Sequence, residues 1–491
     1  MILRRFAQCL ALWALVNAPV VAEPTEPPAD DSTAVSFAKQ VRPILAAHCV
    51  GCHQPAKQGG ELDLTDFAAL LLGGESDMAS VAPGDPEGSY LLDLITPDAD
   101  GNADMPKEAP ALAASDVELI RQWIAAGAVN DSPRDRGPRY TAASPPEYRI
   151  SPTITALDVS PDGGLLAVNG FHEVLLHRLD DAPLSGDGQA QPVARLVGLS
   201  ARVQSVRFSP DGTKLAVVGG DPSRRGEVQI WDMATHDLLL SHSVTYDTLY
   251  GVSWSPDGEH VAFGCADNTV RAIHAATGKQ VLYQAAHNDW VLDTVYSVDG
   301  SHLVSAGRDQ TLKLIEVATE RFIDNITSIT PGALTGGINA VARHPARDEV
   351  LVGGADGVPK IYQMQRTTKR VIGDDANLLW ELPGLPGRVF SVAYNRDGTR
   401  LAAGSSLDGT GTVHVYSMAA EPPIPKEIKE LLHKPTHKRN DEEKTKLADH
   451  FAAHVEQLCH ISVPTGGVYA VAFTADGQSV ISAGADGVVR I

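Results

Sequence analysis

From residue 151 onward the chain is written in short runs of alternating apolar and polar residues. Val203-Gln204-Ser205-Val206-Arg207-Phe208 and Leu215-Ala216-Val217-Val218 are examples, and turn residues separate them. Period-two alternation of this kind predicts half-buried β-strands. One turn recurs as Ser160-Pro161-Asp162-Gly163, Ser209-Pro210-Asp211-Gly212 and Ser255-Pro256-Asp257-Gly258. Looser copies follow at Ser297-Val298-Asp299-Gly300, Asn395-Arg396-Asp397-Gly398 and Thr474-Ala475-Asp476-Gly477, with His344 to Asp348 filling the remaining slot. The turn aspartates are 49, 46, 42, 49, 49 and 79 residues apart. A period of that length is the mark of a repeat array built from about four strands per unit. Seven units predict a closed ring of seven blades. The last one lacks an outer strand, which Tyr148-Arg149-Ile150 is expected to supply.

Two regions switch to a helical period. Residues 35–48 put Phe37, Val41, Ile44 and Leu45 on one face, and residues 115–127 do the same with Val117, Ile120, Trp123 and Ile124. Ser115 with Glu118 predicts a capping box, and Gly127 a stop. The 79-residue gap predicts an insertion at 419–461 with helices over 426–432 and 441–458. Lys426, Lys429, Lys434, Lys438 and Arg439 make a basic island there, which could dock an acidic surface of the same chain. His450 and His454 are four apart on its second helix. They could share a metal, but an ordinary exposed charged helix explains them better.

With 491 residues, the chain exceeds what one core supports. Residues 1–22 read as a secretory signal, with Arg4 and Arg5, an apolar stretch too short to span a bilayer, and small residues before the cut. No later stretch is long and apolar enough to cross a membrane. Residues 23–34 read as a disordered leader and 131–150 as a linker. The net charge is −21, which argues against nucleic acid as a partner. Between Glu23 and Asp135 there are 20 acids against 6 Lys or Arg. Of five cysteines, Cys265 and Cys459 lie far apart and read as buried apolar residues rather than a disulfide framework.

Cys49-Val50-Gly51-Cys52-His53 has the Cys-x-x-Cys-His spacing of c-type haem attachment. Thiols three positions apart can add to the two vinyl groups of one porphyrin. The histidine that follows is then held under the iron. A redox dithiol ordinarily follows a strand, whereas a helix precedes this motif. A zinc site needs further ligands, and no second cysteine pair exists. The second axial ligand is expected downstream. Met105, in a Gly/Asp/Pro loop before the last helix, is the first candidate, ahead of Met78, a histidine or an open position.

Residues 35–130 resemble the planctomycete-type cytochrome c domain. The resemblance rests on Val41-Arg42-Pro43-Ile44-Leu45 before the haem motif, Val81-Ala82-Pro83-Gly84, Ser89-Tyr90-Leu91-Leu92, Met105-Pro106 and Trp123-Ile124-Ala125-Ala126-Gly127-Ala128. Residues 151–491 resemble WD40 repeats, with one intact Trp231-Asp232 pair and His287 with Asp309 as the family's structural pair. The resemblances imply a small all-α, class I-like domain followed by an all-β seven-bladed propeller. They further imply one haem c per chain, anchored by Cys49 and Cys52 and ligated by His53 and Met105. Electron transfer outside the cytoplasm, in the periplasm or at the cell surface, is the expected activity. The propeller is the expected platform for a protein partner, and the redox partner is unnamed. No catalytic residue is expected. Two alternatives stand beside this. One is a redox enzyme with a second cofactor or substrate site in the propeller, where His172, His344 and His414 are the histidines at hand. The other is a haem-containing scaffold or sensor.

Overall fold

The computed structural model describes residues 35–54, 57–65, 67–76, 78–107, 109–132, 140–179, 191–327, 336–418 and 424–491. The signal, the leader and the middle of the linker lie outside them.

The front domain is a helical cluster around one apolar core. Phe37–Val41 forms a wide π-helical turn capped by Ser36. It runs straight into α1 (Arg42–His48) with Pro43 in the first turn, where its missing N–H costs no helical bond. Phe37, Val41 and Leu45 are buried, as their spacing predicts. Three further helices, α2 (Phe67–Leu72), α3 (Tyr90–Ile95) and α4 (Ala114–Ala125), close around them. Phe37, Phe67 and Trp123 meet with ring centroids 4.9 to 6.2 Å apart.

Two expectations fail here. Helix α4 begins at Ala114 with Ala113 at its cap and no side-chain capping bond, so Ser115 lies inside the first turn and the capping box does not form. The domain is also not purely helical, because His53–Gln54 pairs with Lys57–Gln58 as a small antiparallel ribbon. The stop at Gly127 is as expected. Gly127 has a φ of 97°, and Ala128 N–H reaches back to Trp123 O at 2.9 Å.

The rest is mostly β. Four-stranded antiparallel sheets span 249–284, 291–325, 338–381 and 388–463. Residues 157–245 form a seven-stranded sheet in which Ala194–Phe208 is shared. Its first half pairs with Phe171–Arg178 and its second with Lys214–Asp221. The first strand of each unit touches the first strand of the next, and Val468–Phe473 touches Leu157–Val159. The array therefore closes on itself.

The recurrent turn is the same device each time. At Ser209 the hydroxyl donates to Asp211 at 2.6 Å and accepts Lys214 N–H at 2.9 Å, while Gly212 takes a φ of 72°. Six of the seven units hold the first position with a side-chain oxygen, and in the remaining one His344 keeps the backbone bond to Glu349 O at 2.9 Å and accepts Ala346 N–H on its ring. Asn395 and Thr474 replace serine without changing the arrangement.

The outer strand expected at 148–150 does not form. Tyr148 donates instead to the buried carboxylate of Glu173, which Arg195 also holds at 2.7 Å, and Arg195 reaches Pro146 O at 2.8 Å. That ion pair ties the segment to the first sheet. Closure comes a few residues later, where Ile154 N–H bonds Gly484 O at 2.9 Å. In the last unit Ser482 exchanges two backbone bonds with Arg490, and among the described residues no strand pairs beyond it.

The insertion holds α5 (Lys426–His433) and α6 (Asp441–Ala452). The second helix is shorter than expected. Val455–Val463 leaves it to become the outer strand beside Thr410–Met418. Its faces look to solvent, so Cys459 is exposed rather than buried, while Cys265 is fully buried. Both helices pack back over the preceding sheet at Leu378–Glu381, and Ile428, Leu432, Leu447 and Phe451 join its core. Two of the basic island's five cations are engaged in this packing, while Lys426, Lys429 and Lys438 stay exposed. Lys434 bonds Glu443 at 2.6 Å and Arg439 bonds Asp375 at 3.0 Å.

Candidate cofactor-attachment site

The Cys-x-x-Cys-His motif is the helical turn that follows α1. Leu45 O accepts Cys49 N–H at 2.9 Å, and Cys49 O accepts both Cys52 N–H and His53 N–H at 3.1 Å. One turn of backbone thus carries both thiols and the imidazole. Cys49 packs against the domain core and Cys52 is exposed, and the two are not joined to each other. Burial pushes the Cys49 thiol up to about 11.

His53 is half-buried, and its Nδ1 is buried without a hydrogen-bond partner. A buried ring nitrogen left bare is costly, so the imidazole is shaped for a partner the chain does not supply. Two backbone bonds fix the residue from behind. Cys52 O accepts Gly59 N–H at 2.9 Å, and His53 O accepts Leu64 N–H at 3.0 Å. Gly59 runs so close that an added Cβ would stand 3.5 Å from the ring and 3.2 Å from Cys52 O.

Met105 packs half-buried against the same core as Cys49, with Leu62, Phe67 and Leu71. Its N–H is pinned to Leu94 O at 2.9 Å, and Asp98 ties the preceding loop by accepting Asp100 N–H and Asn102 N–H at 2.9 Å each. Met78 is 47% exposed and touches no part of that core. Tyr246, from the connection before Leu249–Trp254, packs on the same core as Met105. Nothing in its local sequence marks it for that contact.

The donor set fits a c-type haem. It comprises two thiols on one turn that are not joined in a disulfide, an imidazole with an unpartnered buried nitrogen, and a thioether in the same core. Among the described residues, no group of three or more His, Cys, Asp and Glu side chains is placed to hold a metal ion, and no helix is long and apolar enough to cross a membrane.

The other histidines are held by local packing. His450 and His454 stand 4.9 Å apart and both rest on Trp380. His414 bonds His460 at 2.8 Å and Tyr416 at 3.1 Å, and His344 accepts Ala346 N–H at 3.1 Å. The expected His287–Asp309 pair is present at 3.0 Å, with Ser305 on the other ring nitrogen at 2.8 Å. Burial alone would raise Asp309. The bonds and charge of His287, with those of Asn288 and Thr311, outweigh it and hold the carboxyl at about 2. Burial also lowers the imidazole, so a neutral His287 donates to an ionised Asp309.

The fold and the site together define a small domain with a Cys-x-x-Cys-His turn joined to a ring of antiparallel β-sheets. The family profile "Planctomycete cytochrome C" matches residues 49–109, and the profile "WD domain, G-beta repeat" matches 190–232, 238–273, 278–316, 377–417 and 455–491. The chain is a planctomycete-type cytochrome c domain fused to a WD40-repeat β-propeller. Among curated proteins it is similar to UBP9-binding protein bun62 of Schizosaccharomyces pombe, 30% identical over 110 residues, covering 22% of this chain and 20% of that one. It is also similar to protein hir-1 of Neurospora crassa, 26% identical over 29% of this chain and 15% of the relative. WD repeat-containing protein VIP3 of Arabidopsis thaliana is 27% identical over 21% of this chain and 36% of its own length. The chain thus spans well under half of each of these relatives.

Proposed function

We propose that this chain is an exported electron-transfer protein with one covalent haem c, whose seven-bladed propeller serves as a protein-docking platform. Cys49 and Cys52 would hold the ring through thioethers, and His53 and Met105 would be the protein ligands of the iron. The haem would supply a one-electron ferric/ferrous couple. The chain's own residues orient it. The helical turn after α1 sets the thiols and imidazole, and Gly59 lets the backbone run close behind His53. The apolar core around Met105 keeps water from one side. The observation that carries the reading is the buried, unpartnered Nδ1 of His53 on the same turn as two thiols that are not joined in a disulfide.

The ring of first strands, each touching the next, supports seven blades. WD repeats support the platform role, and one relative is named for the partner it binds. The signal-like residues 1–22 and the chemistry of haem attachment support a location outside the cytoplasm.

The test is a visible spectrum of the chain matured in a bacterial periplasm, for wild type and Met105→Ala. Covalent haem in the first, with loss of the weak red-region Met-to-iron band in the second, is the expected result. Absence of covalent haem in the wild type overturns the proposal. Two irons per chain would favour the redox-enzyme alternative. Ready binding of carbon monoxide by the reduced wild type would favour the sensor.

A further inference from the structure

The insertion builds a second feature, independent of the haem domain. Helix α6 and the loop before it roof the strands Lys360–Gln363 and Leu378–Glu381, leaving a cavity of about 200 Å³. Leu378, Leu432, Leu447 and Phe451 make its apolar wall.

Most polar groups that line it are already engaged. Lys360 is paired with Asp356, Arg439 with Asp375 at 3.0 Å, and Lys444 with Asp441 at 3.2 Å. Thr436 donates to Asp375 at 2.9 Å. Arg439 spends its remaining N–H groups on the carbonyls of Leu431, Leu432 and Lys434. Two groups are left over. The Glu381 side chain lines the cavity half-buried, opposite Lys360 in the sheet, with no hydrogen bond or ion pair of its own; burial raises its pKa against the charges of Lys360 and Arg439. The Tyr362 hydroxyl lines it too, on a residue only 4% exposed.

Counted with their ion-pair partners, Lys360, Arg439 and Lys444 face Asp356, Asp375, Asp441 and Glu381, which leaves one uncompensated negative charge. An apolar cavity with a few convergent polar groups is the usual form of a small-molecule site. A half-buried carboxylate without an ion-pair partner, set against an apolar wall, favours a cationic partner over solvent. We infer that this cavity is a binding site for a small primary amine with an apolar body, its ammonium on Glu381 and its body against Leu378, Leu447 and Phe451.

The experiment is calorimetric titration of the full chain with benzylamine, with benzyl alcohol as the uncharged match. Saturable benzylamine binding, at least about tenfold tighter than the alcohol, is expected. Glu381→Gln should weaken it by about tenfold or more, for the same reason. Ala448→Trp is the second variant. Ala448 is an exposed helix residue on the cavity rim, so the indole fills the space at little cost to folding. It should abolish binding while the thermal melt stays unchanged. No saturable binding to the wild type, equal affinity for the alcohol, or unchanged affinity in both variants would overturn the inference. So would a preference for inorganic phosphate, which would mark the cations as the recognising groups.

Discussion

Asp293 on one innermost strand accepts the backbone N–H of Val341 on the next at 2.9 Å. Asp158 does the same for Phe208 at 2.7 Å, Ser205 for Val252 at 3.2 Å, and Ser391 for Val471 at 3.0 Å. The innermost strand of a blade has no ladder partner on its inner edge, so its N–H groups need acceptors from elsewhere. Side chains of the neighbouring blade supply them, and they tie each innermost strand to the next around the ring.

Burial lifts the Asp293 carboxyl to about 6. In the unfolded chain it ionises near the ordinary carboxyl value of 3.8, so between about pH 4 and 6 the folded state binds the extra proton. Its contribution to stability therefore falls as pH rises through that window and is level above it. Asp293→Asn keeps the acceptor oxygen and removes the titration. Urea unfolding at pH 4.5 and 7.5 should show the variant gaining on wild type by about 2 kcal/mol at the higher pH. An equal difference at both values would refute the assignment.

His287 and Asp309 should behave in the opposite sense. Asp309 is depressed to about 2, so its contribution is present above the unfolded carboxyl range and lost as pH falls through that range towards 2. His287 is lowered too, so stability also declines as pH drops below 6.5 and the unfolded imidazole takes up a proton. Asp309→Ala leaves the buried ring nitrogen unsatisfied and should cost about 1–3 kcal/mol at pH 7. The same variant should show a flatter acid limb in its melting temperature.

Trp123 is only 1% exposed, packs on Phe37 and Phe67, and donates from its indole to Val129 O at 3.0 Å. Trp123→Ala should cost about 3–5 kcal/mol. The loss belongs to the front domain, so scanning calorimetry should show one transition moved down and the β transition held.

Cys49→Ser with Cys52→Ser should remove covalent haem while leaving the β array folded. A denaturing gel stained for haem should lose its band, and the circular dichroism of the strands should persist. A retained band would place the attachment elsewhere.

Much of the fold was legible because its signals are local. The turn Ser/Asn/Thr-x-Asp-Gly closes on itself through bonds spanning five residues, so it reads from the sequence wherever it occurs. The helical face of Phe37, Val41 and Leu45 is equally short-ranged. The failures share the opposite character. Ser115 has the right neighbours for a cap, but α4 starts one residue earlier. Tyr148 has the β-favouring context of a closing strand, but buried Glu173, with Arg195, draws it to the first blade. Val455–Val463 continues a helical run in sequence, yet a partner strand at Thr410–Met418 takes it. Asn440 with Glu443 forms a capping box at α6 that the same local rule could have found.

The Cys49–His53 motif and the order of strands and turns follow from the sequence alone, because covalent spacing and period-two patterning act over a few residues. Only the tertiary structure decided that Met105 rather than Met78 packs in the core with Cys49. It alone decided that Tyr246 touches that core, that aspartates bridge the blades, and that Glu381 is left without a partner under α6. Each depends on groups tens to hundreds of residues apart, brought together by burial, which no local pattern encodes.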